Sequence, residues 1–143
     1  MTAAGAADPA SIRIPREVLD AIMAHARAES PNECCGLLLG RASAIVAAHR
    51  ARNELTSPAR YRIRPEDHFA AIRAARRQGL EVVGAYHSHP ASPPVPSRTD
   101  LDEALDAPFV YLIAGREARD EHAVRAWRLS KGNFVPVPLV TLQ

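Results

Sequence analysis

Two histidines and an aspartate are spaced as the ligands of one metal ion would be. His87 and His89 end a predicted strand, and Asp100 follows His89 by eleven residues, in the first turn of a predicted helix. Residues two apart in a strand face the same side with Cα atoms about 7 Å apart, so both imidazoles can converge on one ion. The intervening loop is long enough to bring the carboxylate back to that point. Two histidines and one carboxylate leave a fourth tetrahedral position open for water, which predicts a catalytic zinc site.

Asp100 also has a purely structural interpretation. Ser97 and Asp100 fit a helix capping box, in which the serine caps the helix and the acid three residues later reaches back to the cap. For these two residues by themselves, capping is the more common explanation of the pattern. The remaining histidines stand alone in the sequence and are not predicted to bind metal: His25, His49, His68 and His122.

Two sequence motifs resemble those of the JAMM (MPN+) zinc metallopeptidases. The first is His-x-His, seven residues, serine, two residues and aspartate, which runs from His87 to Asp100. The second is the family pattern Pro-x-Glu-x-Cys-Gly-x-Leu-x-Gly, and residues 31–40 match it with PNECCGLLLG. Both motifs occur in the family's order, and the resemblance covers roughly residues 12–140. It implies an α/β domain with a mixed sheet flanked by helices, of the cytidine-deaminase-like type, with zinc at one edge of the sheet.

The resemblance implies a role for each polar residue of the two motifs. His87, His89 and Asp100 resemble the family's zinc ligands. Glu33 resembles the general acid/base, which takes a proton from the attacking water and later delivers it to the leaving amine. Ser97 resembles the hydroxyl donor that stabilises the developing oxyanion, a contribution of roughly 3 kcal/mol to the barrier.

The family resemblance also implies a substrate class. Short stand-alone prokaryotic members, which this chain resembles most, cleave after the C-terminal Gly-Gly of ubiquitin-like sulfur-carrier proteins. One alternative is a eukaryotic-type deubiquitinase, but those enzymes carry insertions that grip ubiquitin, and the proline-rich loop at residues 90–96 is short. The other alternative is a catalytically inactive MPN scaffold, although such proteins have lost ligands that are all present here. The carrier, the choice between a peptide and an isopeptide bond, and the oligomeric state stay open.

Signals for helices and strands alternate along the chain, which predicts a layered α/β domain. Pro15 and Pro65 suit the first turns of two helices, the first ending at residues 30–32, and Gly79 suits the left-handed cap after the second. In the second helix, Phe69, Ile72 and Ala75 are predicted to face inward. A shorter helix is predicted at residues 98–105, and strands are predicted at residues 34–40, 44–49, 61–63, 80–86, 109–114 and 123–129.

The C-terminal strands indicate how the sheet is built. The last two predicted strands follow each other without a helix, which requires antiparallel pairing and therefore a mixed sheet. Pro136 and Pro138 restrict the tail that follows to a sheet edge. Residues 12–143 are predicted to form one domain, and residues 1–11, rich in alanine and glycine, are predicted to be a disordered segment.

Composition excludes several classes of protein. With 143 residues and a net charge of +2, the chain is neither multidomain nor a uniformly basic nucleic-acid binder. No apolar run approaches the roughly 18 residues of a membrane helix, and no signal peptide is recognised. Cys34 and Cys35 are adjacent, so no disulfide framework is predicted; small buried thiols and a cytoplasmic setting are expected.

Charge is unevenly distributed along the chain. Residues 41–77 contain nine arginines against three acids, and residues 99–121 contain seven acids against two arginines. Such asymmetry can steer a charged partner, although a solvated surface is the simpler interpretation. No aromatic residues interleave the arginines in a way that favours nucleic acid, and no nucleic-acid partner is expected.

Overall fold

The computed structural model describes residues 11–104, 108–116 and 123–143. Their regular elements follow in chain order: β1 (Ile12–Pro15), α1 (Arg16–Glu29), β2 (Cys35–Arg41), β3 (Ala44–Ala51), α2 (Pro65–Arg77), β4 (Glu81–Ser88), α3 (Arg98–Asp102), β5 (Val110–Ala114), β6 (Val124–Ser130), β7 (Asn133–Val137) and β8 (Leu139–Leu142). The predicted disordered segment, apart from buried Ser11, and part of the acidic stretch lie outside the described residues.

The described strands form one mixed sheet in the order β7-β6-β5-β4-β2-β3-β1-β8. β4 pairs with β5 in parallel, and β1 pairs in parallel with both β3 and β8, whereas the other pairs are antiparallel. β7 and β8 lie at opposite edges, yet only Pro138 separates them in sequence. The sheet must therefore curl until its two edges approach each other. The predicted α/β class with a mixed sheet is confirmed.

Helix α1 fills the concave side of this curled sheet. Five of its apolar residues recur at helical spacing and are buried: Val18, Leu19, Ile22, Met23 and Ala26. They form one core with strand residues from both ends of the sheet order, including Ile12 in β1 and Ala126 in β6. Strand β1 was not predicted. Its period-two burial, with Ile12 and Ile14 inside, extends over only four residues and is too short to stand out in the sequence.

Helix α2 covers the opposite face of the sheet through small residues. Ala71 and Ala75 are buried against a cluster that includes Leu37, Leu39 and Ala85. The prediction that Phe69 faces inward is wrong, since its side chain is 61% exposed. Residues 69 and 71 are two apart in a helix, about 200° around the axis, so a helix that packs through its alanines turns the phenylalanine outward.

Other predicted boundaries need smaller corrections. The residues at 61–63 do not form a strand; Ile63 makes only an isolated bridge with Asn53. The tail forms two edge strands, β7 and β8, where Pro136 pairs at the outer edge beside Trp127. Gly79, with φ +67°, follows α2 as the predicted left-handed cap. Helix α3 ends at Asp102, and residue 105 of the predicted helix lies outside the described residues.

Candidate metal centre

The pairing of β2 with β4 brings the two sequence motifs together. Cys35 lies opposite His87 in this antiparallel pair, so Glu33, two residues earlier, lies at the same end as His89. His87 follows Ala85 by two residues, and Ala85 packs beneath α2. The histidines therefore project from the α2 face of the sheet, where β4 ends.

The donor atoms of His87, His89 and Asp100 converge on one point. The Nε2 atoms of the two histidines are 3.1 Å apart, and Asp100 Oδ2 is 3.2 Å from His87 Nε2 and 3.0 Å from His89 Nε2. All three side chains are at least nine-tenths buried. Among the described residues, this is the cluster of His, Cys, Asp and Glu side chains that can hold a metal ion. The predicted convergence is present in the structure.

A backbone carbonyl fixes the tautomer of His89. Its Nδ1 donates to the carbonyl oxygen of Pro93 at 2.9 Å, so in the neutral ring Nε2 carries a lone pair that faces the cluster. Carbonyl partners of this kind orient histidine ligands in metal sites. His87 Nδ1 is buried without a hydrogen-bond partner among the described residues. The donor set and the orientation of His89 fit a divalent metal.

The pKa values of the four titratable groups at the site, His87, His89, Asp100 and Glu33, are shifted in different directions. Burial lowers the pKa of His87, and the neighbouring Asp100 only partly opposes it. For His89, burial is outweighed by the hydrogen bonds with Asp100 and Pro93, which raise the pKa. Burial also acts on Asp100, but its contacts with His87 and His89 hold its pKa well below the usual range. Burial raises the pKa of Glu33 to about 7, although His89 opposes the shift.

Ser97 is the cap of helix α3, as the alternative interpretation predicted. Its Oγ accepts the N–H of Asp100 at 3.0 Å, and its own N–H donates to Asp100 Oδ2 at 2.9 Å. The capping box therefore holds the same oxygen that faces the histidines. Because Oγ uses a lone pair for the cap, its hydroxyl hydrogen is left to donate. Ser97 is exposed beside the cluster, so the cap leaves that hydrogen accessible.

The proline-rich loop is held over the sheet by β5 and β6. Trp127 Nε1 donates to the carbonyl oxygen of Pro94 at 3.1 Å. A Cβ on Gly115 would lie only 2.7 Å from Pro94 Cδ, so glycine is needed at this close approach. Loop residues 90–97 thereby place the Pro93 carbonyl and Ser97 beside the cluster.

Two residues that contact the motif residues were not predicted from the sequence. Ser88 lies inside the His-x-His motif and is buried. Its Oγ accepts the N–H of Cys34 at 2.8 Å, and this bond joins the end of β4 to the start of β2. Tyr61 stacks on His87 with ring centroids 4.4 Å apart and an interplanar angle of 22°. The motif spacing pointed to the neighbourhood of Ser88, but no local signal connects Tyr61 with a residue 26 positions later.

An apolar groove leads from Asp100 along the α2 face. It has a volume of about 240 Å³ and is lined chiefly by Leu37, Tyr61, Ile63, Ala85, Phe109 and Tyr111, which together are called the apolar groove below.

Among the described residues, the main chain beside the groove is bonded on one side only. Arg62 and Glu54 are joined through their main chains at 2.8 Å, as are Arg64 and Arg52 at 3.1 Å. In an extended segment, the main-chain groups of successive residues point to opposite sides, so those of Tyr61 and Ile63 point away from residues 52–54.

The two cysteines are buried and free, as expected. Burial raises the pKa of Cys34 to about 11 and that of Cys35 to about 12, so both are neutral thiols at physiological pH. Of the other histidines, His25 is buried and bonds to Tyr86 Oη at 2.8 Å through Nδ1, remote from the cluster. His49 and His68 are outside the cluster, and His122 lies outside the described residues.

Much of the predicted positive patch is paired within the chain. Four arginines of residues 41–77 form ion pairs with nearby acids, in the pairs Arg52–Asp67, Arg60–Glu103, Arg62–Glu54 and Arg64–Glu66. Apart from the half-buried Asp67, the partners in these pairs are exposed, and exposed pairs contribute little stability and are screened by salt. Within the part of the chain that the structure describes, no helix is both long and apolar enough to cross a membrane.

Comparison with known proteins gives consistent similarities. The profile of the family described as prokaryotic homologs of the JAB domain matches residues 15–130. The chain is 35% identical over 122 residues to a desampylase of Pyrococcus furiosus, covering 85% of this chain and 84% of the relative. It is 29% identical to a CysO-cysteine peptidase of Mycobacterium tuberculosis, covering 88% of each. A JAB1/MPN domain protein of Archaeoglobus fulgidus shares the fold, with a TM-score of 0.63, 21% identity, and coverage of 92% of this chain and 97% of that one.

Proposed function

Since the chain belongs to the family of prokaryotic homologues of the JAB domain and is a hydrolase of peptide or isopeptide bonds, we propose that it releases ubiquitin-like sulfur-carrier proteins by cleaving after their C-terminal Gly-Gly. The observation that carries the proposal is the convergence of His87, His89 and Asp100 beside buried Glu33. The names of the relatives, a desampylase and a CysO-cysteine peptidase, support a ubiquitin-like partner.

Zinc is the metal that the donor set favours. Two imidazole nitrogens and one carboxylate oxygen, with room for one more ligand, are typical of catalytic zinc. His87, His89 and Asp100 would hold it. When bound, zinc acts as a Lewis acid that polarises the scissile carbonyl and lowers the pKa of water.

Glu33 is the proposed general acid/base. Water adds to the carbonyl carbon while Glu33 takes its proton, and the same carboxyl then protonates the amine as the carbon–nitrogen bond breaks. A pKa raised to about 7 by burial suits a group that must both accept and donate a proton near neutral pH. The free hydroxyl hydrogen of Ser97 would donate to the developing oxyanion, while its lone pair keeps the α3 cap.

The apolar groove is the proposed path of the Gly-Gly tail. Glycines lack side chains and can pass beside Tyr61 to reach Asp100, whereas bulkier residues would meet the groove walls. An extended tail can also add main-chain hydrogen bonds to Tyr61 and Ile63, whose main-chain groups point away from residues 52–54. The globular part of the carrier would then rest on the surrounding surface.

A panel of fusion proteins tests the substrate. It comprises an ubiquitin-fold sulfur carrier ending in Gly-Gly-X, the same carrier ending in Ala-Ala-X, and linked ubiquitin. Cleavage of the Gly-Gly carrier alone is expected, because the alanine methyl groups of Ala-Ala-X would meet the groove walls and ubiquitin would not match the surface that receives the carrier. Equal cleavage of all three, or cleavage of ubiquitin chains only, would contradict the proposal and favour the deubiquitinase alternative. No cleavage of any by a zinc-loaded chain would favour an inactive scaffold.

The metal assignment has its own test. His87→Ala should lower the bound zinc well below one per chain, because it removes one of three protein ligands. Elemental analysis of the purified variant measures this directly. His49→Ala is the matched control, since His49 lies on β3 outside the cluster, and it should keep the zinc of the wild type. Full zinc in His87→Ala would remove this residue from the ligand set.

A further inference from the structure

Asn53 uses every hydrogen-bonding position of its side chain. Its Oδ1 accepts the N–H groups of Leu55 and Arg62, each at 3.0 Å. Its Nδ2 donates to the carbonyl oxygens of Arg60 at 3.0 Å and Glu33 at 3.2 Å. Two donors at Oδ1 and two acceptors at Nδ2 fit only one orientation of the amide. The side chain thus joins Glu33, two residues before β2, to the loop that leads from β3 to α2.

The carboxylate of Glu33 depends on its main chain for its position. Its Oε1 is buried and has no hydrogen-bond partner among the described residues. Its main-chain N–H donates to the carbonyl oxygen of Ser57 at 2.8 Å, and its carbonyl oxygen accepts from Asn53. Both partners belong to the loop that Asn53 closes. Because no side-chain bond holds Oε1, the loop determines where the carboxylate lies.

The same loop brings Tyr61 to the cluster of His87, His89 and Asp100. Main-chain groups of Arg60 and Arg62, the two neighbours of Tyr61, bond to the Asn53 side chain. The Tyr61 ring between them stacks on His87. The side-chain amide of Asn53 therefore fixes the main chain of Glu33 and also the segment that carries the Tyr61 ring.

We propose that Asn53 is a positioning residue for hydrolysis, which holds Glu33 at the site and Tyr61 against His87. The proposal rests on the proposed function in that it takes Glu33 as the general acid/base. A displacement of about 1 Å in a reacting group can cost about 100-fold in rate. None of the four bonds of Asn53 goes to a candidate metal ligand, so its effect is on the chemical step rather than on metal content.

The first test is the substitution Asn53→Asp, which keeps the shape and the acceptor oxygen but removes both donors. On the Gly-Gly fusion, kcat is expected to fall by about 10- to 100-fold while zinc content is unchanged. Gln78→Glu is the matched control, because it makes the same change from amide to carboxylate at an exposed position where Nε2 bonds to Ala74. Its kcat should equal that of the wild type. A kcat for Asn53→Asp within twofold of the wild type overturns the proposal.

A double-mutant cycle separates positioning from general destabilisation. If Asn53 acts through Glu33, Asn53→Asp should cause little further loss of rate in a Glu33→Gln background, measured over long single-turnover incubations. The full 10- to 100-fold loss in that background would show that Asn53 acts elsewhere and would contradict the proposal.

Amide hydrogen exchange gives a measurement that does not need activity. The Glu33 N–H, which bonds to Ser57, should exchange faster in Asn53→Asp than in the wild type or in Gln78→Glu. Unchanged exchange at Glu33 would overturn the positioning role, whether or not any fusion is cleaved. A wild-type chain that cleaves no Gly-Gly fusion would instead count against the proposed function, and the exchange data would still decide the role of Asn53.

Discussion

At the scale of single residues, burial turns an ordinary glutamate into a group that can exchange protons near neutral pH. Glu33 is 4% exposed, and burial raises its pKa to about 7, whereas Asp100, which contacts both histidines, is held ionised by them. Two carboxyl groups in one small site are thereby separated into a proton carrier and a permanent anion. This division suits Asp100 as a metal ligand and Glu33 as an acid/base.

Glu33→Gln tests that division. The amide keeps the shape of the side chain but cannot accept a proton, so kcat should fall by about 100-fold or more while zinc content and melting temperature stay near those of the wild type. Turnover of the Gly-Gly fusion, elemental analysis and thermal unfolding on one preparation provide the three values. Near-normal turnover would mean that another group is the base.

Ser97→Ala separates two roles of one hydroxyl. If Ser97 donates to the oxyanion, kcat should fall by about 10- to 1,000-fold. Loss of the cap on α3 should also cost about 1 kcal/mol of unfolding free energy. Ser92→Ala, an exposed serine in the same loop, is the control for both measurements. Loss of stability with unchanged kcat would leave Ser97 as a cap only.

At the scale of elements, an ion pair connects the end of β3 to the start of α2. Asp67 Oδ2 accepts the Arg52 main-chain N–H at 2.7 Å and Nε at 3.0 Å, and Oδ1 accepts from Nη2 at 2.8 Å. These hydrogen bonds lower the pKa of Asp67 to about 2, despite some opposing desolvation. The pair borders Asn53, so it anchors the outgoing end of the loop that Asn53 closes.

The lowered pKa predicts a specific dependence of stability on acid. A carboxyl whose pKa is lower in the folded chain than in the unfolded chain stabilises folding above its ordinary pKa, and this contribution is lost as pH falls through the folded value. Unfolding free energy should therefore decrease between about pH 4 and pH 2, and Asp67→Asn should be less stable at pH 7 and show a shallower decrease. Denaturant unfolding across pH measures both. Asp20→Asn, in an exposed pair with Arg16, is the control and should keep the wild-type dependence of unfolding free energy on pH. The same wild-type dependence in Asp67→Asn would refute the prediction.

At the scale of the whole molecule, the curled sheet separates structural and functional faces. Helix α1 fills the concave side, and the cluster, the apolar groove and the loop closed by Asn53 all lie with α2 on the other side. The arginine-rich segment at residues 41–77 flanks this functional side. Four of its nine arginines are already paired with acids, which leaves a moderate positive charge for a partner.

That charge predicts a salt effect on an acidic carrier. Cleavage of a carrier fusion should show a kcat/KM that falls a few-fold as salt rises from low to about 0.5 M, because exposed charges are screened within about 10 Å at 0.1 M. The kcat at saturating substrate should change little, since docking and not chemistry is affected. A short peptide with the Gly-Gly tail but no carrier domain is the control and should show no such fall. Equal salt dependence of both would exclude docking through this surface.

The sequence by itself determined the features that neighbouring residues encode. The burial of α1 residues follows from period 3.6, the left-handed Gly79 from its position after α2, and the convergence of His87 and His89 from the two-residue period of a strand. These are local signals, because each depends on residues within one or two turns. The two motifs also identified the family and hence the mixed sheet.

Only the tertiary structure decided which separate segments meet. The outward position of Phe69, the curl that brings β7 near β8, the stacking of Tyr61 on His87 and the four bonds of Asn53 all depend on contacts between distant parts of the chain. Such contacts are set by packing and strand register over the whole sheet, and no run of neighbouring residues specifies them. For this reason, a donor set could be predicted from its spacing, while the side chain that holds the loop beside it could not.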